Sequence, residues 1–140
     1  MDTKKFLIGT LVGGLVFFLG GYLIYGMALM NFMSQHSGSA TGVAKSMDEI
    51  SFGSIGIGNL AGAALLSYIF LKWANVQSFA SGASSGAIIG FLVGLCFDMT
   101  MYGTSNVLDM TGVATDIAAA TVLWGISGGA IGAVIGMGKK

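Results

Sequence analysis

The sequence has no arginine and no proline, one cysteine, one histidine, and charged residues at only 9% of 140 positions. A soluble globular domain carries roughly 25% charged residues, so the polar surface such a domain needs is missing. Six lysines balance six acids, and no basic patch exists to hold nucleic acid. Cys96 alone cannot close an internal disulfide, and it leaves the redox compartment unread. His36 has no nucleophile at a useful spacing. No glycine loop ends in Lys-Ser/Thr, and the GSIGIG run at Gly53–Gly58 lacks the preceding strand of a dinucleotide site. These absences remove the soluble-enzyme constellations: no catalytic residue and no cofactor is assigned.

Apolar residues and glycine make up the chain instead. Hydrophobic residues reach 54%, with 24 glycines, and mean hydropathy is +0.84. Crossing a bilayer takes about 20 apolar residues, and four runs qualify: Phe6–Asn31, Phe52–Lys72, Ser81–Tyr102 and Val113–Met137. The runs are continuously apolar rather than alternating, which excludes transmembrane strands. The expected fold is all-α, an integral membrane four-helix bundle forming a single transmembrane domain over residues 1–140. The first run follows Lys4 and Lys5, as a signal peptide would, but is far longer than a signal h-region. We expect a retained span.

Lysine placement sets the expected orientation. In a four-span layout Lys4, Lys5, Lys72, Lys139 and Lys140 fall on one side, and Lys45 alone falls opposite, in a loop with Asp48 and Glu49. Lysine-rich ends stay in the cytoplasm, so both termini are expected inside, with Trp73 at the interface beside Lys72.

Glycine spacing predicts the packing. In the third run Gly82, Gly86, Gly90 and Gly94 recur every fourth residue, and the same row continues to Asp98 and Tyr102. The fourth run carries Asp116, Ala120, Trp124, Gly128, Gly132 and Gly136 in an equivalent row. Small residues let membrane helices approach closely. Because the runs are antiparallel, their glycine ends meet on the lysine side and their aspartates meet on the other. A polar pocket is expected there, formed by Asp98, Asp116, Tyr25, Tyr102, Asn59 and Trp124. A carboxylate deep in a span is costly and points to function or to a bonded partner. Asp116 also has a plainer reading, as a first-turn residue capping its helix, and Asp98 has one as a bonded structural group paired with Tyr25, Asn59 or Thr100.

Two further patterns bear on organisation. A shift of 77 residues lays Gly9, Gly13 and Tyr25-Gly26 on Gly86, Gly90 and Tyr102-Gly103, and a shift of 70 lays Gly58 and Gly62 on Gly128 and Gly132. Halves 1–77 and 78–140 would then be parallel-repeat helical hairpins. Separately, Met27, Met30 and Met33 recur every third residue before His36. Thioethers are soft donors for Cu(I), but methionine is also a common filler of apolar gaps. Without thiolates in the set, copper is the weaker alternative and no metal site is assigned.

The segments FLGGYLIYG at Phe18–Gly26 and GFLVGLCFDMTMYGTSN at Gly90–Asn106, followed by Asp116 and a glycine-rich last helix, resemble an uncharacterised family of small bacterial four-span membrane proteins, a domain of unknown function. The likeness covers most of the chain. One place departs from the family pattern: Gly21-Tyr22 stands where Trp-Tyr is common. The resemblance implies architecture and a bacterial inner-membrane location, but no activity.

Two functions compete on these grounds, and the first is the one expected, with the second as its alternative. The first is a non-catalytic packing or accessory protein, a homo-oligomer or a subunit of a larger membrane complex, among membrane lipids. Its motive is that Gly9, Gly13, Gly20, Gly125 and Gly129 exceed what one bundle needs. The second is a small-molecule, proton or cation site at the aspartates. An intramembrane hydrolase would need two deep facing aspartates, and Asp116 reads as too near the surface.

Overall fold

A computed structural model describes residues 1–137; Lys139 and Lys140 lie outside the described residues. The fold is all-α. Helix α1 (Thr3–Gly21) runs on through a wider π-helical stretch, Tyr22–Ala28, into the short α2 (Met30–Gln35). Helix α3 (Phe52–Ile69) ends in a second π-helical stretch, Phe70–Ala74, and is followed by α4 (Phe79–Thr104) and α5 (Met110–Gly136). Four helical segments, Thr3–Ala28, Phe52–Ala74, Phe79–Thr104 and Met110–Gly136, are long and apolar enough to cross a membrane, so the chain is an integral membrane protein.

Local chemistry explains where these helices start and stop. Each long helix opens on a side chain that accepts a backbone N–H three residues on. Asp2 accepts from Lys5, Ser51 from Ser54, Ser78 from Ser81 and Asp109 from Gly112. The first-turn amides have no partner inside the helix, and these oxygens satisfy one apiece. The second span stops at Asn75, whose φ of 48° is the left-handed conformation that asparagine tolerates after a helix.

Helix α5 is the centre of the bundle. It packs along α4 on one side and along α1 on the other, with a smaller contact to α3, while α1 and α3 pair with each other. Helix α4 rests chiefly on α5, so the contacts are not twofold: α1 meets α5 broadly, but α3 and α4 have no comparable seam. Between α1, α3 and α5 lies the core of Phe17, Ala63, Leu66, Phe70, Leu123, Ile131 and Ile135.

The α4–α5 seam is backbone against backbone. A Cβ at Gly128 would stand 2.5 Å from the Gly82 carbonyl oxygen and 2.9 Å from the Gly86 Cα. Gly132 and Gly136 likewise lie against the Ser78 and Gln77 carbonyls, and Gly90 against the Trp124 side chain. At Gly94 the fit relaxes to ordinary contact, 3.5 Å from the Ala120 Cβ. The seam therefore widens toward the aspartates.

The glycines expected to be surplus are occupied within the chain. A Cβ at Gly9 would meet the Ser67 hydroxyl at 2.7 Å, at Gly13 the Ile131 side chain at 2.5 Å, and at Gly20 the Leu123 side chain at 2.7 Å. Gly129 takes the Phe79 ring at 2.7 Å and Gly125 the Ala87 Cβ at 3.3 Å. Open space surrounds Gly53, Gly56 and Gly58 instead, in the first half of α3.

At the lysine end, the Lys5 ammonium donates to the Ile135 carbonyl at 2.6 Å and to that of Met137 at 3.4 Å. The last carbonyls of a helix lack intrahelical partners and carry its negative end. Lys5 satisfies both needs for α5. Trp73 stands 70% exposed, edge-on to Tyr68 with ring centroids 5.2 Å apart.

Candidate binding cavity at the carboxylate end

The seam that relaxes at Gly94 opens beyond it into a cavity of about 230 Å³. Its wall is built from the end of α4 (Asp98, Met101, Tyr102), the connection Ser105–Asp109 (Ser105, Val107, Leu108) and the start of α5 (Val113, Asp116). Helical spacing brings the acids together: Asp98 is one turn beyond Gly94, and Asp116 lies one turn before Ala120, the residue opposite Gly94. The Asp98 and Asp116 carboxyls, from two different helices, thus line one cavity.

Tyr25 approaches from the π-helical stretch that follows α1. The π-helical stretch carries its ring toward α5, where the phenol donates to the Asp116 backbone carbonyl at a long 3.5 Å. Stretches with wider helical turns are often found at functional sites. Thus the structure brings Asp98, Asp116 and Tyr102 into one cavity wall, with Tyr25 alongside.

Two expected members are elsewhere. Trp124 does not line the cavity; its ring sits edge-on to Phe17 at 5.2 Å and fills the space that Gly90 leaves. It belongs to the packing core because the glycine of the facing helix makes room for it there. Asn59 is half-buried on α3, outside the cavity wall, since α3 makes only a small contact with α5. Thr100 is likewise not a partner of Asp98, because its hydroxyl donates to the Cys96 carbonyl at 2.7 Å.

Asp116 is not a first-turn cap. Helix α5 begins three residues earlier than the apolar run does, and its cap is Asp109. Asp116 then lies seven residues in, roughly 10 Å along the axis at helical rise. The plainer reading of Asp116 therefore passes to Asp109, whose Oδ1 accepts the Gly112 amide at 2.7 Å.

Asp109 also binds the one histidine. Its Oδ2 lies 2.9 Å from the His36 Nδ1, and its amide donates to the His36 carbonyl at 2.9 Å. The Gly112 amide, and after it the His36 ring, hold the Asp109 carboxyl below the usual carboxylate range. The imidazole also stacks on Phe32, with centroids 4.4 Å apart. His36 is thereby engaged on one nitrogen, while Met27 and Met30 point outward, exposed. Among the described residues no three His, Cys, Asp or Glu side chains come together as a metal-binding group.

Beyond His36 the chain continues along the α4–α5 connection. The Gly38 amide donates to the Val107 carbonyl at 2.8 Å and the Ala40 amide to the Asn106 carbonyl at 3.0 Å, and Ser37 pairs with Leu108 in a single antiparallel bridge. Sequence reasoning missed this pairing, because its bonds are mostly main-chain and leave no side-chain signature. The traces it does leave are Gly38 and Gly112, where added Cβ atoms would strike the Asn106 and His36 carbonyls.

No protein-family model matches the chain, and no curated protein or solved structure is significantly similar to it.

Proposed function

We propose that this membrane protein binds a proton or a small cation between Asp98 and Asp116, in a cavity that faces away from the cytoplasm. The observation that carries the reading is a pair of carboxyls within the apolar spans, lining an open cavity with no basic side chain in its wall. Close carboxylates share a proton or take up a cation, because both cannot stay charged in a low-dielectric site. A group so costly in a span is by default a functional candidate. Tyr102 in the wall and Tyr25 beside Asp116 supply hydroxyls for the bound species. The proposal assigns no catalysis.

Orientation rests on the lysines: with Lys4, Lys5 and Lys72 at the cytoplasmic face, both termini are inside and the cavity opens outward. The resemblance to small bacterial membrane proteins supports a bacterial inner membrane.

The test is proton and sodium flux in reconstituted vesicles, read by a trapped pH dye and by a sodium dye under an imposed potential. Wild-type protein should conduct one of the two above empty vesicles. Asp98→Asn should abolish that flux while the protein still folds and reconstitutes. Wild-type vesicles no leakier than empty ones, together with no sodium- or proton-dependent shift in melting temperature, would rule the site out.

A second reading keeps the accessory or homo-oligomeric subunit. Its support is now the first half of α3, where Gly53, Gly56 and Gly58 face open space beside an exposed Ile57. Another helix could approach closely there. A strictly monomeric species in mild-detergent native mass spectrometry would count against it.

A further inference from the structure

We infer that residues 36–40 and 106–109 form a clasp that holds one wall of the carboxylate cavity in place, and that its release widens the mouth through which the cavity is loaded. The inference concerns the same cavity as the proposed function but rests on its geometry, not on the identity of the ligand. Val107 and Leu108 are wall residues of that cavity, and they sit on a five-residue connection that has no helix of its own. What holds this wall in place comes from the other hairpin. Gly38 and Ala40 bond its carbonyls, and the Asp109 amide bonds the His36 carbonyl. The His36 ring then locks onto the Asp109 carboxylate.

The clasp is fixed at one side and releasable at the other. Asp109 is anchored as the cap of α5, through the Gly112 amide. His36 is the last point at which residues 36–40 are tied to a helix, since α2 ends at Gln35 and residues 41–49 run exposed. A strap tied by a few hydrogen bonds opens at a small fraction of the cost of global unfolding. Opening would swing Val107 and Leu108 away and expose Val113, which is 2% exposed with the clasp shut. The close approach at Gly38 leaves no room for a side chain against the Asn106 carbonyl, so the closed position is sensitive to a wedge there.

The experiment measures modification of a wall cysteine by a water-soluble maleimide on detergent-purified protein, where both ends of the bundle meet the reagent. Val113→Cys is placed in a Cys96→Ala background, since the native thiol is exposed. Three variants loosen the clasp in different ways. His36→Phe keeps a ring on Phe32 but loses the bond to Asp109, Asp109→Asn keeps a helix cap but weakens the lock, and Gly38→Val wedges the strap without touching either side chain. Losing one charge-assisted hydrogen bond corresponds to roughly tenfold in an opening equilibrium, so labelling should accelerate about tenfold in His36→Phe and rise in the same direction in Asp109→Asn and Gly38→Val. Val76→Cys, buried at the opposite end with 5% exposure, should label at an unchanged rate. Unchanged labelling at Val113→Cys in His36→Phe and Gly38→Val overturns the clasp. So does equal acceleration at Val76→Cys, which would mean general loosening. Neither result bears on ion flux through Asp98, so failure here is distinguishable from failure of the proposed function.

Discussion

At the scale of single residues, the two aspartates visible in apolar runs and the one between them have separate tasks. Asp109 caps α5 and holds His36, and both bonds favour its charged form. A carboxyl whose folded pKa is depressed contributes stability above its unfolded value and loses it as pH falls through the folded value. The contribution should therefore be complete at neutral pH and vanish only below the ordinary carboxylate value of about 3.9. Asp109→Asn should flatten the acid limb of melting temperature against pH in that window, with a lowered melting temperature at pH 7 and the least difference from wild type below it. Asp98 should behave differently. It faces a cavity wall with no basic side chain, so asparagine can replace it without breaking an ion pair. Asp98→Asn should leave thermal stability within about 1 kcal/mol of wild type while removing flux, as read by calorimetry and the vesicle assay on one preparation.

Legibility in the sequence divides along the same line. Asp98 and Tyr102 could be placed because they extend a glycine row by whole turns, and the facing row placed Asp116. Asp109 could not, because a cap is recognised by where the helix begins, and the apolar run starts at Val113 while the helix starts at Met110. Trp124 was misplaced for a related reason. Its row gave the face of α5 it sits on, but only the facing glycine, Gly90, decides that the ring turns inward.

At the scale of elements, the α4–α5 seam and the first half of α3 present opposite environments to glycine. Gly128→Leu should be severely disruptive, because the added side chain meets the backbone of α4, which cannot yield as a side chain can. The cost expected for overpacking is about 1–3 kcal/mol or more, seen as a lowered melting temperature and loss of protection from proteolysis in α4. Gly53→Ala should go the other way. With nothing near its Cβ, the substitution trades glycine's backbone freedom for helix propensity and should stabilise by roughly 0.5–1 kcal/mol. Lys5 links two elements. Replacing it with Met should free the α5 carbonyls and cost on the order of 0.3–2 kcal/mol, with Lys4→Met as the exposed comparison. The glycine register was readable from spacing alone, but which glycines face a neighbour was not. Every run is apolar all round, so no polar face announces its outward side.

At the scale of the whole molecule, the expected alternation of ends places Ser39 and Lys72 on opposite faces of the membrane. Reporter fusions at the two positions should give opposite signals, and equal signals would dismantle the four-crossing layout. Four crossings followed from run length. The unequal arrangement did not, since hydropathy cannot say which helix is surrounded by the others.

That inequality has a consequence for how the protein is made. The helix that holds the rest together leaves the ribosome after the helices it binds. Until it arrives, α4 has almost nothing to lean on, and the seam between α1 and α3 is all that has formed. A chain cut short after Thr104 should therefore forfeit most of the assembled structure, and the newly inserted α4 would wait in lipid, exposed to quality-control proteases, for a partner still being synthesised.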